Sequence, residues 1–77
     1  MDGRAEALEF HIQKGSPVIG REIKDLPLID NLLICNIYRN GTAMIPNGQD
    51  HMEEDDLVVV VTSKKGLHDV KDILKRG

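Results

Sequence analysis

Leu8-Glu9-Phe10-His11-Ile12 alternates apolar and polar residues, which gives one dry face and one wet face and predicts a strand. Lys14-Gly15-Ser16-Pro17 breaks that alternation. Ser16 suits a helix cap and Pro17 a first helical turn, where a missing N–H costs nothing. Ile19, Ile23 and Leu26 then recur at spacings of four and three, predicting a short helix that Gly20 weakens and Pro27 ends. Leu28-Ile29-Asp30-Asn31 reads as a connector. Leu32 to Tyr38 is nearly unbroken in apolar character and predicts a central strand covered on both faces. Asn40-Gly41 supplies the positive φ values of a type I′ hairpin turn, Thr42 to Ile45 returns as a strand, and Pro46 stops it. After an acidic surface turn, Leu57-Val58-Val59-Val60-Val61 gives the strongest strand signal in the chain. Thr62 or Ser63 can cap a last helix with Leu67, Val70, Ile73 and Leu74 on one face, and Lys75 and Arg76 oppose its dipole. The expected order is β-α-β-β-β-α. This is an α+β domain with one small, largely antiparallel sheet and two helices.

Composition narrows the possibilities. At 77 residues the chain is one small domain, and only Phe10 and Tyr38 are aromatic. A domain this size buries roughly 60% of its unfolded surface, so its core is thin and a second chain is one way to complete it. Leu28, Ile29, Met44 and Met52 lie in connectors or at strand ends where such a core has trouble covering them. They read either as local packing under loops or as a self-complementary dimer face. A formal charge of −3, with no basic stripe interleaved with aromatics, argues against nucleic-acid binding. The lone Cys35 sits in an apolar run and reads as a buried, inert thiol in a reducing compartment. No apolar stretch approaches the length of a transmembrane helix, and the N-terminus lacks the regions of a signal peptide, so the chain reads as cytosolic with no direct membrane insertion.

The inventory of reactive groups is sparse. His11, His51 and His68 fall on three separate elements without metal-ligand spacing. Glu53-Glu54-Asp55-Asp56 lacks the alternating ligands and central glycine of a calcium loop, and reads as a solvated turn. There is no dinucleotide-binding or phosphate-loop glycine pattern. No nucleophile, base or metal set supports catalysis, and no cofactor site is expected in these residues.

The ordered segments Gly15-Ser16-Pro17-Val18-Ile19-Gly20, Ile23-Lys24-Asp25-Leu26, Ile37-Tyr38-Arg39-Asn40-Gly41, Ile45-Pro46-Asn47-Gly48 and Asp55-Asp56-Leu57-Val58-Val59-Val60 carry a resemblance. Together they resemble the TrkA-C family, also called RCK-C, over about Glu6 to Leu74. Both flanks, Asp2-Gly3-Arg4-Ala5-Glu6-Ala7 and Thr62-Ser63-Lys64-Lys65-Gly66-Leu67-His68-Asp69-Val70, are similar to the closing domain of peripheral Trk potassium-uptake subunits. One departure concerns the family's usual Gly-Asp before the last strand, which here is Asp55-Asp56. If that position needs positive φ, losing the glycine costs about 1 kcal/mol.

The resemblance implies residues 1–7 as a linker from an upstream domain and 8–76 as the regulatory domain. It implies a longer parent protein whose preceding domain binds NAD(H) or ATP, so that nucleotide site lies outside this chain. It also implies a homodimer that senses a small-molecule effector near its cleft and biases a membrane potassium-translocating subunit at the inner face of the cell membrane. The cleft residues implied are Leu28, Ile29, Asp30, Asn31 and Met44. Family members that bind cyclic di-AMP carry polar anchors where this chain reads mostly apolar, from Leu28 to Ile34. TrkA-C domains also occur in antiporters and anion carriers. The rival expectation is therefore a passive assembly module with no effector of its own.

Overall fold

The computed structural model describes residues 4–76. The first three residues of the expected 1–7 linker lie outside that range. Four strands form one antiparallel sheet: β1 (Glu6–His11), β2 (Leu32–Arg39), β3 (Thr42–Met44) and β4 (Leu57–Thr62), in spatial order β1-β4-β2-β3. The valine-rich β4 lies in the middle, which suits β-branched side chains that fill a pleated surface between two neighbours. β2 and β3 are joined by the two-residue turn Asn40-Gly41, with φ values of 53° and 77°, the double positive φ of a type I′ hairpin.

Register explains which face is dry. Leu8 pairs with Val60 and Phe10 with Val58 on one side of β4; Ile34 and Ile37 pair with the same two valines on the other. These inward residues join Ile12, Val18, Leu26, Met52, Val70 and Ile73 in a single core. Ile34 and Ile37 are three apart, a spacing that would ordinarily place them on opposite faces. A bulge between Ile34 and Asn36 absorbs Cys35 and restores the phase, so both isoleucines point inward. The apolar run of β2 is therefore not a strand covered on both sides. Leu33 is 65% exposed and Tyr38 40% exposed on the far face, and Cys35 is half-buried at the bulge rather than sealed in the core.

The two expected helices are absent among the described residues. Each is replaced by one short 3-10 turn, Ile23–Asp25 and Val70–Ile73. Gly20 takes φ of +82°, which a helix cannot continue through, and Pro27 closes the segment from the other side. Between those limits a helix lacks the length to repay its nucleation. The backbone finds partners across the molecule instead. Ile19 and Glu22 form isolated bridges to Met52 and His51, and the amides of Ile23 and Lys24 donate to the carbonyls of Asp50 and Gly48. The C-terminal segment behaves alike. Gly66 at φ +83° interrupts it, the Ile29 amide donates to Ile73 O at 2.8 Å, and the Lys75 amide donates to Pro27 O at 2.7 Å.

The apolar periodicity predicted for these segments survives without the helices: Val18, Leu26, Val70 and Ile73 still cover the inner face of the sheet. Met52 is fully buried, while Leu28 and Met44 pack against the core, so these residues do not form an uncovered patch. The exposed apolar side chains are elsewhere, at Leu33, Tyr38 and Ile45, the last being 83% exposed beyond the end of β3.

Candidate functional site

Two constellations of charge stand out, and they differ in kind. The first lies at the end of the sheet where the acidic turn enters β4. Asp56 is buried, 1% exposed, and receives Arg39 Nε at 2.9 Å and Arg39 Nη2 at 2.8 Å, a two-pronged ion pair. The Glu53 amide donates to the same carboxylate at 2.8 Å, and Arg39 also reaches His51 O at 3.0 Å and Glu53 Oε2 at 3.1 Å. Burial pushes the Asp56 carboxyl up, but the hydrogen bonds from Arg39 and the Glu53 amide, helped by the Arg39 and His51 charges, outweigh it. The net result holds Asp56 below the usual carboxylate range. The hydrogen bond to Asp56 raises Arg39 further. Every buried side-chain nitrogen and oxygen in the described residues has a partner, so this centre is closed and serves as a clasp between β2 and the turn before β4. The acidic run is thus not wholly solvated: its last residue is one of the most buried in the domain. Asp55 beside it takes φ of +72°, so the position that has lost its glycine does adopt the left-handed conformation.

The second constellation is open. A groove of about 650 Å³ runs between the connector residues Ile29 and Asp30 and the C-terminal segment from Lys64 to Arg76. Its cations are Lys64, Lys65, Lys71, Lys75 and Arg76, half of all the lysines and arginines in a chain of net charge −3. Among the described residues none of the five is in an ion pair. Half-buried Ile29, Leu67 and Leu74 supply apolar wall. Asp72 also lines the groove, but its Oδ2 accepts the His68 and Asp69 amides at 2.9 and 3.0 Å, which lowers its pKa and fixes its direction. A smaller cavity of about 180 Å³ lies near His11, Lys14 and Lys71. No group of three or more His, Cys, Asp or Glu with metal-binding geometry occurs among the described residues.

The expected cleft residues divide between the groove and the rest of the fold. Ile29 and Asp30 line the groove. Leu28 stands next to them but is tied up in an antiparallel bridge to Leu74. Asn31, at φ 62°, turns the connector into β2 and offers its carbonyl to Thr62 Oγ1 at 2.8 Å. Met44 is not brought to them: it pairs with Ile37, five residues along β2 from Leu32. The sequence reading passed over the five cations because it treated Lys75 and Arg76 as helix-end charges. A segmental charge count carries the signal: the last fifteen residues hold five basic and two acidic groups, whereas the preceding sixty-two hold five basic and eleven acidic ones.

The TrkA-C domain family matches residues 7–75. Similar proteins include a Trk system potassium uptake protein TrkA homolog of Archaeoglobus fulgidus, 35% identical over 92% of this chain and 16% of its own length. A second TrkA homolog, from Methanosarcina mazei, is 28% identical over 92% of this chain and 16% of its own length. A K(+)/H(+) antiporter of a Shewanella species is 24% identical over 94% of this chain and 12% of its own length. The chain therefore spans about a sixth of the length of the two Trk proteins.

Proposed function

The chain belongs to the TrkA-C domain family, and from that premise we propose that it is the regulatory domain of a Trk-type potassium transport system. The observation that carries the proposal is the unbroken family match over residues 7–75, joined to relatives whose names place them in Trk potassium uptake. In this reading the domain works as a homodimer on the cytoplasmic side of the membrane. A ligand favours one dimer arrangement, and the shift in population biases the potassium-translocating subunit. NAD(H) or ATP would act from a preceding domain of the parent protein, through residues this chain does not contain. The parts needed for a regulator are supported by geometry. One is an uncovered apolar sheet face, and the other is an open groove joined to it through the connector.

The outer face of the sheet is the surface proposed for pairing. Its rows follow from the register: Ala7, Val61 and Leu33 in one, Glu9, Val59 and Asn36 in the next, and His11, Leu57, Tyr38 and Ala43 in the third. Val59 and Val61 are only half-buried, and Leu33 and Tyr38 are exposed. A small domain with this face open gains by burying it against a second copy. Leu33→Asp tests this: light scattering should show dimers for the parent chain and monomers for the variant. Monomers for both, at every concentration tried, would remove the dimeric regulator.

The antiporter among the similar proteins favours one second reading, a shared assembly module that pairs subunits in several transporter classes without sensing anything. Thermal-shift measurements against nucleotides, cyclic dinucleotides and monovalent and divalent ions separate the two. A ligand-dependent rise in melting temperature supports the regulator, and a flat response across the set supports the passive module.

A further inference from the structure

We propose that Asn40, at the tip of the β2–β3 hairpin, is a site of spontaneous deamidation, and that the fold protects the second Asn-Gly pair, Asn47-Gly48, from the same reaction. The proposal goes beyond the regulatory reading and does not depend on it. The chemistry needs no cofactor. The Gly41 backbone nitrogen gives up its proton to solvent base and attacks Asn40 Cγ. The new C–N bond closes a succinimide ring, and the Cγ–Nδ2 bond breaks as Nδ2 takes up a proton and leaves as ammonia. Water then adds to one of the ring carbonyls. Opening at Cγ gives aspartate, and opening at the backbone carbonyl gives isoaspartate, in which the main chain runs through the former side chain. Nothing is oxidised or reduced, and water is the only co-reactant.

Of the four asparagines, Asn31 and Asn36 precede Leu32 and Ile37, whose side chains crowd the attacking nitrogen. A following glycine leaves that nitrogen open, which narrows the candidates to Asn40 and Asn47. These identical dipeptides stand in different surroundings. Asn40 is exposed, and among the described residues neither its side chain nor the Gly41 amide makes a hydrogen bond. A Cβ placed on Gly41 would meet nothing within 4 Å, so the tip has room for the ring. Asn47 is held at three points. Its amide donates to Asp50 Oδ2 at 2.8 Å, its Oδ1 accepts the Gln49 amide at 2.8 Å, and its carbonyl accepts the Asp50 amide at 3.1 Å. Gly48 is fixed as well. Its carbonyl accepts the Lys24 amide at 2.9 Å, and a Cβ placed on it would come within 3.2 Å of Lys24 Cβ. Ring closure requires the asparagine side chain and the following peptide to rotate toward each other. No side-chain hydrogen bond resists that rotation at Asn40, whereas at Asn47 the bond from the Gln49 amide must break first.

The two products act differently on the hairpin. Aspartate tolerates the φ of 53° that Asn40 adopts, so opening at Cγ adds a negative charge and keeps the turn. Isoaspartate inserts an extra main-chain carbon into a two-residue turn that depends on positive φ at both positions. The pairs of Arg39 with Thr42, Tyr38 with Ala43 and Ile37 with Met44 lie directly behind that turn, and β3 has no further residues with which to resist its distortion. Tyr38 and Ala43 belong to the outer face proposed for pairing, so modification at the tip reaches that face. This last consequence alone rests on the pairing reading.

The test incubates the 77-residue chain in mildly alkaline buffer, folded and in urea, and follows loss of the side-chain amide at each asparagine by peptide mapping with mass spectrometry. Mass assigns the site, because Asp2-Gly3 can form isoaspartate but has no amide to lose. In the folded chain Asn40 should react about tenfold or more faster than Asn47, the rate equivalent of about one hydrogen bond. In urea, where the Asn47 contacts are gone, the two rates should converge. Asn47 reacting as fast as Asn40 in the folded chain overturns the proposal. So does a folded chain in which both sites stay silent while both react in urea. The isoaspartate form, separated by chromatography, should unfold at a lower urea concentration than Asn40→Asp; equal midpoints overturn the consequence for the hairpin. Light scattering of the fresh chain keeps the readings separate. A monomer that deamidates at Asn40 removes the pairing reading and leaves this site standing, while a dimer with Asn40 and Asn47 equally reactive does the reverse.

Discussion

Arg39→Ala removes one half of the clasp between β2 and the turn before β4. The guanidinium supplies two of the hydrogen bonds received by Asp56, at 2.8 and 2.9 Å, and its loss leaves a carboxylate that is 1% exposed with only the Glu53 amide. Breaking a buried ion pair from one side costs about 3–5 kcal/mol. The Arg39 side chain is itself 27% exposed, so water can reach part of the vacated site and the lower end of that range, about 3 kcal/mol, applies. Domains of this size have a total stability of about 4–12 kcal/mol, so the loss is a large fraction of the whole. The pH dependence gives a second readout. In the parent chain the Asp56 pKa is lowered on folding, so its contribution is complete above the ordinary aspartate range, about pH 4, and is lost as pH falls through the lower folded value. In Arg39→Ala the largest influence, burial, still pushes the carboxyl up and is opposed only by the Glu53 amide and His51, so the folded value rises relative to the parent chain. Its penalty is therefore present at neutral pH and relieved in acid. Urea unfolding at pH 7 and at pH 3–4 should show a gap between the two proteins that narrows with acidification. A gap under about 0.5 kcal/mol at pH 7, or one that is constant across this range, would refute the reasoning.

Other consequences follow from the same geometry. Asp55→Ala should cost about 1 kcal/mol because Asp55 sits at φ +72°, where alanine has no local hydrogen bond to offset the strain, whereas Asp55→Gly should cost little or stabilise; urea midpoints distinguish them. Ile37→Ala empties a fully buried site that faces Val58 and Met44, with an expected loss of about 2–5 kcal/mol in thermal or urea unfolding. Cys35→Ser, at the half-buried bulge, should be milder than any core truncation, under about 1.5 kcal/mol in the same assay.

The strand pattern was legible because it depends on local rules. The period-two alternation around Phe10, the β-branched run of β4 and the Asn40-Gly41 turn each specify their structure within a few residues. The helices failed for a complementary reason. Spacings of three and four placed Val18, Leu26, Val70 and Ile73 correctly against the core, but a shared face does not fix the backbone path that delivers it. Gly20 and Gly66 at positive φ and Pro27 gave the chain a cheaper solution in turns and bridges to distant segments. The bulge at Cys35 could not be read from periodicity, since it shifts the phase of β2 by one residue. Nor could the clasp, because Arg39 and Asp56 are seventeen positions apart. The candidate site was half visible. Ile29 and Asp30 were placed by resemblance, while the cations that line the groove become a cluster only when Lys64, Lys65 and Lys71 fold against the connector.

The central claim is that this TrkA-C domain acts through pairing of its outer sheet face. Sedimentation equilibrium of the parent chain and of Leu33→Asp/Val61→Asp, across a range of concentrations, tests it most directly. Both substitutions lie outside the buried core, on paired positions of β2 and β4, so circular dichroism should show the fold retained. The account predicts a dimer for the parent chain and a monomer for the double variant. A parent chain that remains monomeric, or a double variant that dimerises as well as the parent, would contradict it.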